Sequence, residues 1–220
     1  MRLEYYFEGV GQVSVGAFRR DFENFFGDTT FRATREFLAL NGLDQNLYGA
    51  YDVATQHNIA DTVRMTGVDV SYKQALTFLP DWARGVTVFA NGAVQRAEGE
   101  ASANFAGYIP RKASWGISLT RERFNVRMNW TYQSRNRLGA VAPGPSIGPG
   151  TFNWQAKRGF LDILGEYYFT PRYGVYFTLR NVGDTPDEFQ AEGPTTPALS
   201  QFVSRLSSGS LWTFGVKGTF

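Results

Sequence analysis

The chain has 220 residues, 43% hydrophobic and 19% charged, a balance that excludes a disordered segment. Its net charge of +2 is too small to hold nucleic acid by itself, and the lack of cysteine excludes disulfides, thiolate nucleophiles and cysteine-bound metals. With 19 Phe, 11 Tyr, 5 Trp and 24 Gly, the composition favours strands and turns over helices.

No stretch reaches the ~18 consecutive apolar residues that a transmembrane helix needs. Residues 1–9 contain no apolar signal-peptide core and read as the end of a strand begun upstream, as in a fragment. Val13, Val15 and Ala17 start a second alternating run, whose pattern fails after Phe18. Val68, Val70 and Tyr72 alternate with Asp69, Ser71 and Lys73; Val86, Val88 and Ala90 alternate with Thr87, Phe89 and Asn91. Ala113, Trp115, Ile117 and Leu119 oppose Lys112, Ser114, Gly116 and Ser118. The next run sets Phe124, Val126, Met128, Trp130 and Tyr132 against Asn125, Arg127, Asn129, Thr131 and Gln133. Leu161, Ile163, Gly165, Tyr167 and Phe169 follow, then Val175, Phe177 and Leu179. The clearest run is the last, with Trp212, Phe214, Val216, Gly218 and Phe220 on one face and Thr213, Gly215, Lys217 and Thr219 on the other.

Period-two alternation predicts nine strands, near 1–7, 12–25, 62–76, 86–96, 111–120, 124–136, 158–169, 174–183 and 210–220. The connections 8–11, 77–85, 121–123 and 170–173 are short. Those at 26–61, 97–110, 137–157 and 184–209 are long and rich in Gly, Pro, Ser, Asn and Ala, so they are expected to be loops. Short turns at one end and long loops at the other mark an antiparallel outer-membrane β-barrel.

Alternation does not say which face is inside, and a soluble sandwich or barrel alternates too. Aromatic residues stand at both ends of the apolar rows, Phe124 with Tyr132 and Trp212 with Phe220. Eight residues at ~3.4 Å each, tilted by about 40°, span roughly 20 Å, close to the ~25 Å apolar band of membrane barrels. The other rows carry Arg127, Asp162, Glu166, Arg180 and Lys217. Those ions would cost several kcal/mol each in a dry interior but are at ease in a watery or plugged lumen. The expected register is therefore apolar to lipid and polar to lumen.

The ending Leu211-Trp212-Thr213-Phe214-Gly215-Val216-Lys217-Gly218-Thr219-Phe220 resembles the terminal signal of bacterial outer-membrane proteins. Tyr176 to Asp184, with its Asn181-Val182-Gly183-Asp184 exit, resembles the penultimate strand of TonB-dependent receptors. The hairpin from Gly67-Val68-Asp69 to Pro80-Asp81-Trp82, and residues 13–25, are similar to other receptor strands. The resemblance implies that residues 1–220 are one C-terminal piece of a single barrel domain without its plug, the last nine of roughly 22 strands. It implies a bacterial outer-membrane location and energised uptake of a scarce solute, a metal chelate, vitamin or glycan, bound at the extracellular loops. It also implies contact with TonB through an N-terminal plug, and with the barrel-assembly machinery, which would read Trp212, Phe214, Val216 and Phe220. A passive porin-like or small stand-alone barrel is the alternative, and a soluble β-rich binding or adhesive protein a second.

No enzyme signature emerges. His57, the sole histidine, lies between Gln56 and Asn58 in an expected loop without partners for a triad or metal site. Asp162 and Glu166, four residues apart on one row, are separated by roughly 13 Å, too far for a glycosidase pair. Gly139 and Gly148-Pro149-Gly150 lack the Lys-Ser/Thr of a phosphate loop and read as a flexible segment. Neither catalytic nor cofactor nor metal residues are assigned. Arg135, Arg137, Lys157 and Arg158 fall near the outer ends of neighbouring strands, at the height of lipopolysaccharide head groups, where guanidinium suits phosphate.

Overall fold

The structure is a computed structural model that describes residues 1–7, 10–99, 105, 107–141, 144 and 147–219, with 28–30 and 57 as backbone only. In chain order the elements are β1 (Arg2–Phe7), β2 (Gly11–Phe22), β3 (Phe25–Arg32), α1 (Arg35–Leu40), α2 (Gln45–Tyr48), β4 (Asp52–Ile59), β5 (Val63–Ala75) and β6 (Val86–Glu98). There follow β7 (Arg111–Thr120), β8 (Phe124–Gln133), β9 (Asn136–Ala140), β10 (Phe152–Gln155), β11 (Arg158–Tyr168), β12 (Tyr173–Arg180), β13 (Asp187–Glu192), β14 (Phe202–Leu206) and β15 (Leu211–Gly218).

Nine strands form one antiparallel meander in the order β1-β2-β5-β6-β7-β8-β11-β12-β15. These are the nine expected strands, with ends displaced by three residues at most. The sheet is not closed: β1 and β15 are its edges. Both run toward the short-turn end, so a strand added antiparallel at either edge must run the other way.

The register gathers the apolar rows onto one face. Phe7, Gly11, Gln74, Val88, Ile117, Met128, Ile163, Leu179 and Trp212 lie across from one another, strand by strand. The next row toward the short-turn end is Val86, Leu119, Val126, Gly165, Phe177 and Phe214. This face is open: Trp212, Phe214 and Val216 are 61%, 68% and 73% exposed, while among the described residues only Leu38 and Val63 are essentially fully buried. Monomeric soluble proteins rarely expose contiguous apolar patches above a few hundred Å², so an apolar sheet face without a packed layer behind it calls for a covering partner. No helix among the described residues could cross a membrane, which leaves strands untouched.

Rings on the polar face fill the gaps left by glycines. A Cβ at Gly116 would stand 2.1 Å from the Met128 carbonyl oxygen and 2.5 Å from the Phe89 ring, so close approach of backbone and ring requires glycine there.

Three of the long connections correct the loop expectation. β3 and β4 prolong the β2–β5 hairpin beyond a break at Asn24, whose φ is 52°, and carry α1 and α2 at their tip. The four-stranded sheet β14-β13-β10-β9 repeats the order β15-β12-β11-β8 one storey higher. Asn181 and Asp184, at φ 51° and 46°, make the break between β12 and β13. Gly139 therefore lies in a strand, not in a flexible loop. His57 also belongs to a strand, β4, opposite Gly27. Of the expected loop 97–110, residues 100–104 and 106 lie outside the described residues, as does Phe220.

Candidate functional site

Polar residues of the nine strands meet on the face opposite the apolar rows. Over β5 to β8 their Ser, Thr and Asn side chains form a neutral ladder, with Asp69, Lys73 and Lys112 on the same face. The Ser71 hydroxyl donates to Asn91 Oδ1 at 2.7 Å, Ser114 donates to Asn129 Oδ1 at 3.0 Å, and Asn129 Nδ2 donates to Thr131 Oγ1 at 3.2 Å. Serine, threonine and asparagine at alternate positions make this ladder, since the pleat brings them side by side across strands.

Across β8, β11, β12 and β15 the same face carries a second, denser set of charges. A cavity of about 740 Å³ is lined by Asn125, Arg127, Asp162, Glu166, Arg180 and Lys217 among others. The five ions that the alternation assigned to one face do share it. Arg127 stacks on the Phe89 ring, with its guanidinium carbon 4.2 Å from the centroid. Lys217 is paired with Glu166 and lies 4.2 Å from the Tyr168 ring centre. Asp162 accepts the Asn181 backbone N–H at 2.9 Å, so this carboxylate stabilises the break at the end of β12. The two carboxylates have different partners and separate tasks. Three cations against two anions leave the wall slightly positive, a surface for water or a polar partner and not for a packed core.

The second storey is held by guanidinium groups. Arg135 pairs with Glu192 and stacks at 4.1 Å on Trp154. Arg137 stacks at 4.7 Å on Phe152. Arg158 pairs with Asp187, which also accepts from Gln155 Nε2 at 2.9 Å, and Arg205 lies 3.6 Å from Glu188. Arg135, Arg137 and Arg158 are thus brought to the junction between the two sheets, while Lys157 is exposed beside them. The sequence showed the arginines near one another; their acidic partners, 29 and 57 residues away, it did not show.

Trp212, Phe214 and Val216 sit on the apolar face of the edge strand β15, opposite Leu179, Phe177 and Val175. Among the described residues no group of three or more His, Asp or Glu could hold a metal ion.

A nine-stranded meander with short turns below, prolonged hairpins above and a polar, charged inner face has the fold of part of a large TonB-dependent transporter barrel. Among solved structures, the ferric citrate transporter FecA in its unliganded form is similar over 98% of this chain, with a TM-score of 0.59 and 15% identity. The copper transporter OprC is similar over 100% of it, with a TM-score of 0.64 and 13% identity. The chain spans about 30% of the length of each. At such identity the likeness is one of fold. No protein-family model and no curated protein matches the sequence.

Proposed function

We propose that the chain forms part of the wall of an outer-membrane receptor that takes up a scarce solute with energy delivered through TonB. One observation carries the reading: in a single register nine strands put an unpacked apolar surface on one side and Arg127, Asp162, Glu166, Arg180 and Lys217 on the other. Lipid suits the first side and a hydrated or plugged lumen the second. An Arg turned to lipid would cost about 2–4 kcal/mol at the midplane, so the opposite assignment is expensive.

In this reading the short-turn end faces the periplasm and the second storey stands outside the cell. There the hairpins β3–β4, β9–β10 and β13–β14 offer rigid scaffolding to a small ligand, a metal chelate, vitamin or glycan. Contact with TonB would run through an N-terminal plug outside this sequence. Trp212, Phe214, Val216 and Phe220 would form the signal read by the assembly machinery. Lipopolysaccharide contact at Arg135, Arg137, Lys157 and Arg158 belongs to the same proposal, although phosphate there would compete with Glu192 and Asp187.

The test is fractionation of cells that express the protein, followed by gel mobility with and without heating. The expected result is recovery in the outer-membrane fraction, release only by detergent, and a faster-migrating band before boiling. Recovery as a detergent-free soluble monomer would refute the reading.

A further inference from the structure

The outward face carries a second feature, above the apolar rows of β2, β5, β6 and β7. One row up from Ala17, Val68 and Val94, the register places Arg19, Thr66 and Arg96 in line; one more row up stand Asp21, Arg64 and Glu98. Arg111 lies opposite Val94 on the same face. The ion pairs obey this facing. Arg19 and Arg64 each reach Asp21 at 3.0 Å, and Arg96 reaches Glu98 at 3.2 Å. Three guanidinium groups thus meet two carboxylates, Arg111 adds a fourth, and two positive charges are left over. The Arg96 side chain is 79% exposed. Arg19 and Arg96, two strands apart, are separated by roughly 10 Å.

Directly beneath, the same face has an apolar groove of about 310 Å³ lined by Val68, Val70, Gly92, Val94, Ala113 and Tyr132. The groove exists because Gly92 has no side chain between Val70 and Ala113. A Cβ at Gly92 would meet only the Lys112 carbonyl oxygen, at 3.8 Å, so space and not close packing accounts for the gap.

We infer that this belt and groove bind one lipopolysaccharide molecule from the outer leaflet, phosphates on Arg19, Arg96 and Arg111 and an acyl chain along Gly92. The assignment rests on the membrane orientation proposed above. Guanidinium forks match phosphate oxygens, and Asp21 and Glu98 hold three of the forks in place while leaving the net charge positive. Lipopolysaccharide fits better than a glycerophospholipid because the belt lies at the long-hairpin end and offers cations two strands apart to more than one phosphate.

The protein is extracted from outer membranes in mild detergent, and the lipid it retains is measured by native mass spectrometry. The triple variant R19Q/R96Q/R111Q is expected to lose at least fivefold of the lipopolysaccharide-bound fraction. Gly92→Leu keeps every charge and fills open space, and is expected to lose a similar amount while its mobility before boiling stays that of the parent. Added phosphatidylglycerol should not displace the bound lipid. Unchanged retention in both variants, or displacement by phosphatidylglycerol at equal concentration, would overturn the site and leave the membrane reading intact. A parent protein that is soluble without detergent would remove both.

Discussion

The lower sheet and the second storey above it are made of the same strands and are held by different forces. Below the breaks, the ladder is stabilised by one face that avoids water and another that seeks it, so the position of every side chain follows from period two. Above the breaks, β10 and β13 are half-buried at every position, with no division into two faces. There the strands are tied by Arg135 to Glu192, Arg158 to Asp187, and guanidinium groups on Trp154 and Phe152. A pattern of hydrophobicity can specify the first arrangement; the second is specified by pairs distant in sequence.

The sharpest way to break the comparison is to turn one residue of the last strand. Val216 and Lys217 are neighbours on opposite faces of β15. Val216→Arg puts an ion on the apolar face and is expected to cost about 2–4 kcal/mol, with most folded barrel lost from the outer membrane. Lys217→Val leaves Glu166 without its partner on the polar face, a far smaller loss, and assembly should persist. Equal loss of heat-modifiable protein in the two variants would refute the facing.

The reach of sequence reading follows the same division. Residues 124–133 alternate cleanly and were legible as a strand, whereas β9, Asn-Arg-Leu-Gly-Ala, has no alternation to read and depends on β10 for its conformation. β4, Asp-Val-Ala-Thr-Gln-His-Asn-Ile, is polar enough to pass for a loop. In β2 the apolar pattern stops at Phe18 although the strand continues to Phe22, because Arg19 and Asp21 have risen above the apolar band. That apparent failure of alternation is the sequence trace of the arginine belt. Its members Arg19, Arg64, Arg96 and Arg111 come from four strands, and only the register assembles them. The charged cavity is partly legible, since each ion stands on the polar row of its own strand, but the Lys217–Glu166 and Asp162–Asn181 contacts need the strand order.

A smaller effect separates two glycines of the lower sheet. Gly116→Ala forces a methyl against the Met128 carbonyl and the Phe89 ring and is expected to destabilise by about 1–3 kcal/mol. Gly92→Ala meets open space and should stay within about 0.5 kcal/mol of the parent. Urea unfolding of the two variants in detergent measures the difference; equal midpoints would mean that the ring does not sit over Gly116. Above the breaks, Glu192→Gln removes one partner of a half-exposed pair, and the expected cost is below about 1 kcal/mol. Its effect should be local: faster protease cleavage within 137–157 and 184–209, with the heat-modifiable barrel unchanged. A lowered unfolding midpoint of the whole sheet would show that the storeys are not energetically separate.

The smallest expected effect compares the two arginine groups themselves. Arg135 and Arg158 each have a carboxylate at hand, and Arg137 has the Phe152 ring. A phosphate arriving there gains little that Glu192 and Asp187 do not already supply. On the belt, Asp21 serves two arginines at once, Arg111 lines the groove, and the charge is not balanced. Replacing Arg135, Arg137, Lys157 and Arg158 together by Gln should therefore lower retained lipopolysaccharide less than twofold, against fivefold or more for the belt triple. The reverse order would move the lipid site from β2, β6 and β7 to the junction above β8 and β11, and would make the ion pairs of the second storey exchangeable for phosphate instead of fixed supports.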